Sequence, residues 1–167
     1  MSNSNLTAKY NAENDTIQVL LNGEWVDCFK AGVQTIDLLT MPIENWTNKS
    51  YVTVSKGIST LKFTATASSN DNNVVNATYS EKLYASSGKK LRVIGISNLS
   101  TTYANLIGVS EDGVNWTNVV NGGTYTPTQF SAEIPLDNYK NGFYLRINTK
   151  TVNGRVVYAE FTKFEIS

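Results

Sequence analysis

Leu61, Phe63, Ala65 and Ala67 alternate with Lys62, Thr64 and Thr66, and this period of two predicts a strand with one buried face. Upstream, Thr16 to Leu21 and Glu24 to Phe29 are β-rich runs on either side of Asn22-Gly23. That dipeptide favours a type I′ two-residue turn, because both residues tolerate positive φ. The predicted hairpin lines Ile17, Val19 and Leu21 along one face and alternates Trp25, Asp27 and Phe29 on its return. A lone hairpin is marginal in water, so it must dock on the main domain or on another chain. The polar stretch before it, to about Ala12, reads as frayed or paired with a partner. Residues 31–50 lose the alternation and hold Pro42 and a polar run from Glu44 to Ser50. The boundary is placed there, giving an N-terminal hairpin and linker over 1–44 and a main domain over 45–167.

Beyond the linker, Leu91 to Ile96 is apolar on both parities apart from Arg92 and Gly95, which suits a central strand. Leu106 to Ser110 and Asn115 to Val120 flank Asp112-Gly113 and predict a second hairpin. Phe143, Leu145 and Ile147 alternate with Tyr144, Arg146 and Asn148, then Asn153-Gly154 turns the chain into Val157, Ala159 and Phe161, a predicted C-terminal hairpin. Apolar parity then slips, since Phe164 and Ile166 are even-numbered, so a β-bulge is expected near Thr162 and Lys163. Short strands between frequent turns, with no helical stretch, predict an all-β sandwich. A jelly roll is the first choice of topology.

Composition points the same way. Charged residues make up 17% of the 167 positions, against about a quarter in ordinary chains, while 20 Asn, 19 Thr and 15 Ser supply neutral polar surface. These residues favour strands and turns over helices. There is no histidine, which excludes Ser-His-Asp and Cys-His nucleophile systems, histidine bases and histidine zinc sites. The single cysteine, Cys28, excludes an internal disulfide and multi-cysteine metal sites, and reads as a small buried apolar residue. Met1 is followed by Ser-Asn-Ser-Asn rather than a basic and then apolar leader, and no apolar run approaches a membrane span. The formal net charge is zero, so nothing draws the whole molecule to nucleic acid or an acidic membrane. The seven Asn-x-Ser/Thr triplets read as a product of composition rather than as glycan sites.

Five segments carry a resemblance. Leu61 to Ser69, Ala77 to Tyr84 and Gly88-Lys-Lys-Leu-Arg-Val resemble the opening strands of galactose-binding-like jelly-roll domains. Gly108-Val-Ser-Glu-Asp-Gly-Val-Asn-Trp is similar to the Ser-x-Asp-Gly-x-x-Trp hairpin of discoidin domains in that fold group. Leu-Asn-Gly-Glu-Trp-Val, from Leu21, looks like the short hairpin before such sandwiches in tail-fibre and baseplate proteins of phages and prophages of Gram-positive bacteria. The resemblance implies a surface module that binds host cell-surface glycan through loops at one end of the sandwich, alongside other tail or baseplate proteins. It implies synthesis in the bacterial cytoplasm and display on a virion or extracellular surface. The paired cysteines that tie discoidin termini are absent here, which sets lipid-binding and secreted-adhesion roles aside.

Sugar recognition pairs aromatic rings, stacked on the C–H face of a pyranose, with amides or carboxylates that bond its hydroxyls. Trp116 and Asn115 beside the Asp112 turn, Tyr125 after Gly122-Gly123, Tyr103 before the hairpin and Trp46 in the linker are the candidate ligand-binding residues. Taken singly, each aromatic reads first as packing. Glu81, Glu111, Asp112, Glu133 and Asp137 are the carboxylates available for glycoside hydrolysis, and no pair stands out, so no catalytic residue is assigned. Ser69 to Asn73 offers oxygen ligands with too little charge for a calcium site. No metal or cofactor is expected. The expectation is a non-catalytic glycan-binding module, the alternative is a structural tail or spike component that forms a homo-oligomer such as a trimer through the hairpin, and a glycoside hydrolase ranks last.

Overall fold

The computed structural model describes residues 7–11, 16–30, 35–47, 51–65, 74–99, 105–121, 125–139, 141–152 and 155–167, with backbone alone for Tyr10, Thr16, 27–30 and Asn105. The chain is all-β and divides into two compact units, Met1–Thr35 and Ile36–Ser167.

The first unit is an antiparallel sheet of β1 (Ala8–Asn11), β2 (Thr16–Leu21) and β3 (Glu24–Lys30) in that order. Asn22 and Gly23 have φ of 53° and 87°, the backbone that a type I′ turn requires, and Leu21 faces Glu24 across it. The hairpin is therefore as predicted. The segment read as frayed or bound to a partner is instead β1, an edge strand on β2. The side chain of Cys28 lies outside the described residues.

The second unit holds β4 (Ile36–Asp37), a 3-10 turn (Ile43–Asn45), β5 (Trp46–Thr47), β6 (Val52–Lys56), β7 (Leu61–Ala65), β8 (Val74–Tyr79) and β9 (Lys90–Ser97). β10 (Asn105–Ser110), β11 (Thr117–Asn121), β12 (Thr128–Pro135), β13 (Tyr144–Lys150) and β14 (Tyr158–Ile166) follow. Sheet I has the order β11-β10-β13-β8-β5 and sheet II the order β12-β9-β14-β7-β6, with β4 pairing the end of β14. All their pairings are antiparallel.

Alternation puts one side of each strand into a shared core: Leu61, Phe63 and Ala65 from β7, Val75, Ala77 and Tyr79 from β8, and Leu145 and Ile147 from β13 are all buried. Trp46 of sheet I reaches Phe63 of sheet II edge to face, with ring centroids 4.7 Å apart. The two sheets thus share one apolar interior, as in a β-sandwich. The expected bulge is present as a register shift between Phe161 and Lys163. It lets Phe161 and Phe164, of opposite parity, both point inward and stack with centroids 4.6 Å apart.

Three expectations are corrected. Residues 36–44, assigned to the N-terminal segment, belong to the second unit, because β4 pairs β14 and Leu38 is fully buried. β13 and β14 do not form a hairpin, because they lie in different sheets. β9 is central, between β12 and β14, but Ile94 is exposed, so only one face of the strand is covered. No helix among the described residues is long and apolar enough to cross a membrane.

Candidate functional site

The connection from β10 to β11 is built around Asp112. Its Oδ1 accepts the backbone N–H of Val114 and of Asn115 at 2.8 and 2.7 Å and the Ser110 hydroxyl at 2.9 Å, while its Oδ2 accepts Asn115 Nδ2 at 2.7 Å. Ser110 Oγ in turn accepts the N–H of Gly113. The backbone bonds from Asn115 and Val114, then the side chains of Asn115 and Ser110, hold the Asp112 carboxyl well below the usual carboxylate range. The turn is a charge-clamped Asx loop, and Trp116 leaves it in a fixed direction.

Trp116 lies over Gly108 on the outer side of sheet I. A side chain at Gly108 would come 3.3 Å from Trp116 Cε3 and 3.5 Å from Arg146 Nε, so the missing Cβ is what seats the indole. Gly108 pairs with Arg146 across β10 and β13, and Leu145 and Ile147 on either side of Arg146 are core residues. Arg146 therefore points outward, with its Cζ 4.3 Å from the Trp116 ring centroid, a cation–π contact. Its Nε is buried with no hydrogen-bond partner among the described residues. Burial lowers the guanidinium pKa from its ordinary value.

Tyr144 shares that face two residues away. A Cβ on Gly113 would touch its ring at 3.5 Å, and Lys82 Nζ sits 5.9 Å from the ring centroid. Lys82, Tyr144, Arg146 and Trp116 form a continuous strip of two cations and two half-exposed aromatics on the connection side of sheet I.

Charge separates the two sheets. In sheet II, Lys62 pairs with Glu160 at 3.2 Å, Lys90 and Arg92 with Glu133 at 2.9 and 3.2 Å, and Lys163 with Glu165 at 3.1 Å. The five strands of sheet I contain no Asp or Glu.

Of the residues singled out from sequence, Asn115 and Trp116 are brought together. Asn115 braces the turn, its Nδ2 giving one of its two N–H donors to Asp112. Tyr125 is half-buried against the core and stands 5.0 Å from the Cζ of a different arginine, Arg155. Trp46, expected as a candidate ligand-binding residue of the linker, is fully buried among Phe63, Tyr79 and Phe164. It is a core residue with no face for a ligand. Tyr103 and the loop from Ser69 to Asn73 lie outside the described residues. Arg146 and Tyr144 were not singled out, although their even parity in β13 already separates them from Leu145 and Ile147. What alternation does not carry is the neighbour, Trp116.

Three of the five carboxylates weighed for hydrolysis have structural engagements: Asp112 in its turn, Glu133 with Lys90 and Arg92, and Asp137 accepting the Gly88 N–H at 2.8 Å. Lys90, then Arg92, lowers the Glu133 pKa. Among the described residues no group of three His, Cys, Asp or Glu is placed to hold a metal ion. No protein-family model, curated protein or solved structure matches this chain.

Proposed function

We propose that the chain is a non-catalytic surface-recognition module that binds carbohydrate through the Trp116 strip of sheet I. The observation that carries this reading is the seating of Trp116 on Gly108, between a clamped turn and Arg146. An indole held rigidly at partial exposure offers a flat apolar face to a sugar ring at little entropic cost. The Arg146 and Tyr144 donors alongside are of the kind that bond ring hydroxyls.

We read the strand order as a jelly roll, in keeping with such a module. From β7 onward the chain alternates sheets at every step except β10 to β11, so that β7, β14, β9 and β12 are neighbours in one sheet and β8, β13, β10 and β11 in the other. That is the interleaving of two Greek keys. The resemblance to tail-fibre and baseplate modules of phages agrees with such a domain at a virion surface. In a titration followed by tryptophan fluorescence against a panel of bacterial wall polysaccharides, Trp116→Ala lowers affinity and leaves the melting temperature within about 3 °C, a shift of under roughly 1 kcal/mol. Equal binding by the variant and the parent chain would refute the site.

A second reading rests on a separate observation. Ile17, Leu20, Leu21, Trp25 and Val26 of the three-stranded unit are each 38–46% exposed, on a sheet too small to be stable with both faces wet. Self-association through this unit, as a trimer or another closed oligomer, covers them.

A further inference from the structure

We propose that the ligand of the Trp116 strip is an anionic carbohydrate, carrying carboxylate or phosphodiester groups, and that Arg146 reads its negative charge. The inference rests on the carbohydrate reading above and narrows it to a chemical class.

The reasoning starts from an imbalance. A partly buried cation is ordinarily matched by an anion of its own chain, because desolvation penalises an unpaired charge. Sheet II follows that rule at Lys62, Lys90, Arg92 and Lys163. Lys89, just before β9, is an exception there, its Nζ buried with no hydrogen-bond partner among the described residues, and Arg146 of sheet I departs from the rule too. Among the described residues Arg146 has no ion-pair partner, its Nε is buried without an acceptor, and its guanidinium stands against the Trp116 ring. The adjoining acid, Asp112, has both oxygens taken by Ser110, Val114 and Asn115, and no strand of sheet I contributes another. Lys82, 5.9 Å from the Tyr144 ring centroid and with no ion-pair partner among the described residues, extends the same positive strip.

Guanidinium is the group best suited to complete this site from outside. Its planar fork bonds a carboxylate or phosphate with two N–H donors at once, and stacking on an indole fixes its orientation before the ligand arrives. An anionic group on Arg146 would place the sugar that bears it beside Trp116, so that charge and ring stacking act on adjacent atoms of one ligand. A neutral glycan would leave the guanidinium as unmatched as before.

The test uses calorimetric titration of the intact chain with four polymers: dextran as a neutral glycan, polygalacturonate as a carboxylate glycan, a phosphomannan as a phosphodiester glycan, and poly-glutamate as an anion without sugar. Binding to polygalacturonate, to the phosphomannan or to both, at least tenfold tighter than to dextran and to poly-glutamate, is expected, and the arm that binds identifies the anion. Arg146→Gln should abolish that preference at least tenfold, and Arg146→Lys, which keeps the charge and loses the fork, should weaken it several-fold. The lysine variant also serves if the glutamine variant does not fold. Dextran bound as well as the charged polymers, with Arg146→Lys indistinguishable from the parent, overturns the anionic class and leaves the carbohydrate reading intact. Equal binding to poly-glutamate reduces the site to ion exchange and overturns it. Binding to none of the four overturns both readings.

Discussion

Trp46→Ala is the most severe single change that the sandwich offers outside its proposed site. The indole is fully buried, with ring centroids 4.7 Å from Phe63, 5.3 Å from Tyr79 and 6.1 Å from Phe164. An aromatic of this size buries about 150–250 Å², which at about 25 cal/mol/Å² corresponds to roughly 4–6 kcal/mol. Truncation of buried Phe or Trp to Ala costs about 3–5 kcal/mol in measured series, so a loss of about 4 kcal/mol is expected. The unit Ile36–Ser167 has an unfolding entropy near 0.28 kcal/mol/K at about 2.1 cal/mol/K per residue, so that loss lowers the melting temperature by roughly 14 °C. Trp46→Phe should cost about half as much, because Nε1 is buried with no hydrogen-bond partner among the described residues and phenylalanine removes that N–H. Urea unfolding followed by far-ultraviolet circular dichroism, with a thermal scan beside it, measures both. A loss below about 1 kcal/mol for Trp46→Ala would refute the assignment of Trp46 to the core.

Gly95→Ala should destabilise by about 1–3 kcal/mol, since its Cβ would collide with the Glu160 carbonyl and stand 2.7 Å from Phe130 Cζ. Phe130→Leu should recover part of that loss in a double mutant measured by urea unfolding. Asp112 has a folded pKa below that of an unfolded aspartate, so its clamp stabilises fully above about pH 4 and is lost only as pH falls through the folded value. Carboxyl carbon shifts by NMR should therefore show Asp112 ionised at pH 3, where exposed carboxylates are largely protonated, and titration near pH 4 would contradict the clamp. Leu21→Lys with Val26→Lys should lower the solution mass by light scattering if the first unit drives assembly. A parent chain that is already monomeric at high concentration would dismiss the second reading.

Local devices were legible in the sequence and long-range placement was not. Asn22-Gly23 carries its φ requirement in its own residues, and the parity slip between Phe161 and Phe164 marks the bulge wherever β14 pairs. β4 and β5 are two residues each, too short for a period to register, so Trp46 reads as linker although it closes the core. β13 and β14 show hairpin alternation because each has one buried face, and alternation does not say which sheet supplies the cover. The site divides in the same way. The Asp112 turn is written in six consecutive residues, whereas the approach of Trp116 to Arg146 depends on Gly108 lying between them on β10.

β14 lies between β9 and β7, yet it is the last strand in chain order. During synthesis, sheet II therefore lacks its middle until residues 158–166 have left the ribosome. Before then it amounts to two ribbons, β12 with β9 and β7 with β6, each with a raw edge where β14 will pair. Pairings such as Leu91 with Ile166 close long loops and form slowly, while the turn at Asn22-Gly23 closes on the microsecond scale of hairpins. The two units thus mature on different clocks. A chain halted before Tyr158 would present two edges shaped to accept a strand, and the β14 of a neighbouring copy is the strand that fits them.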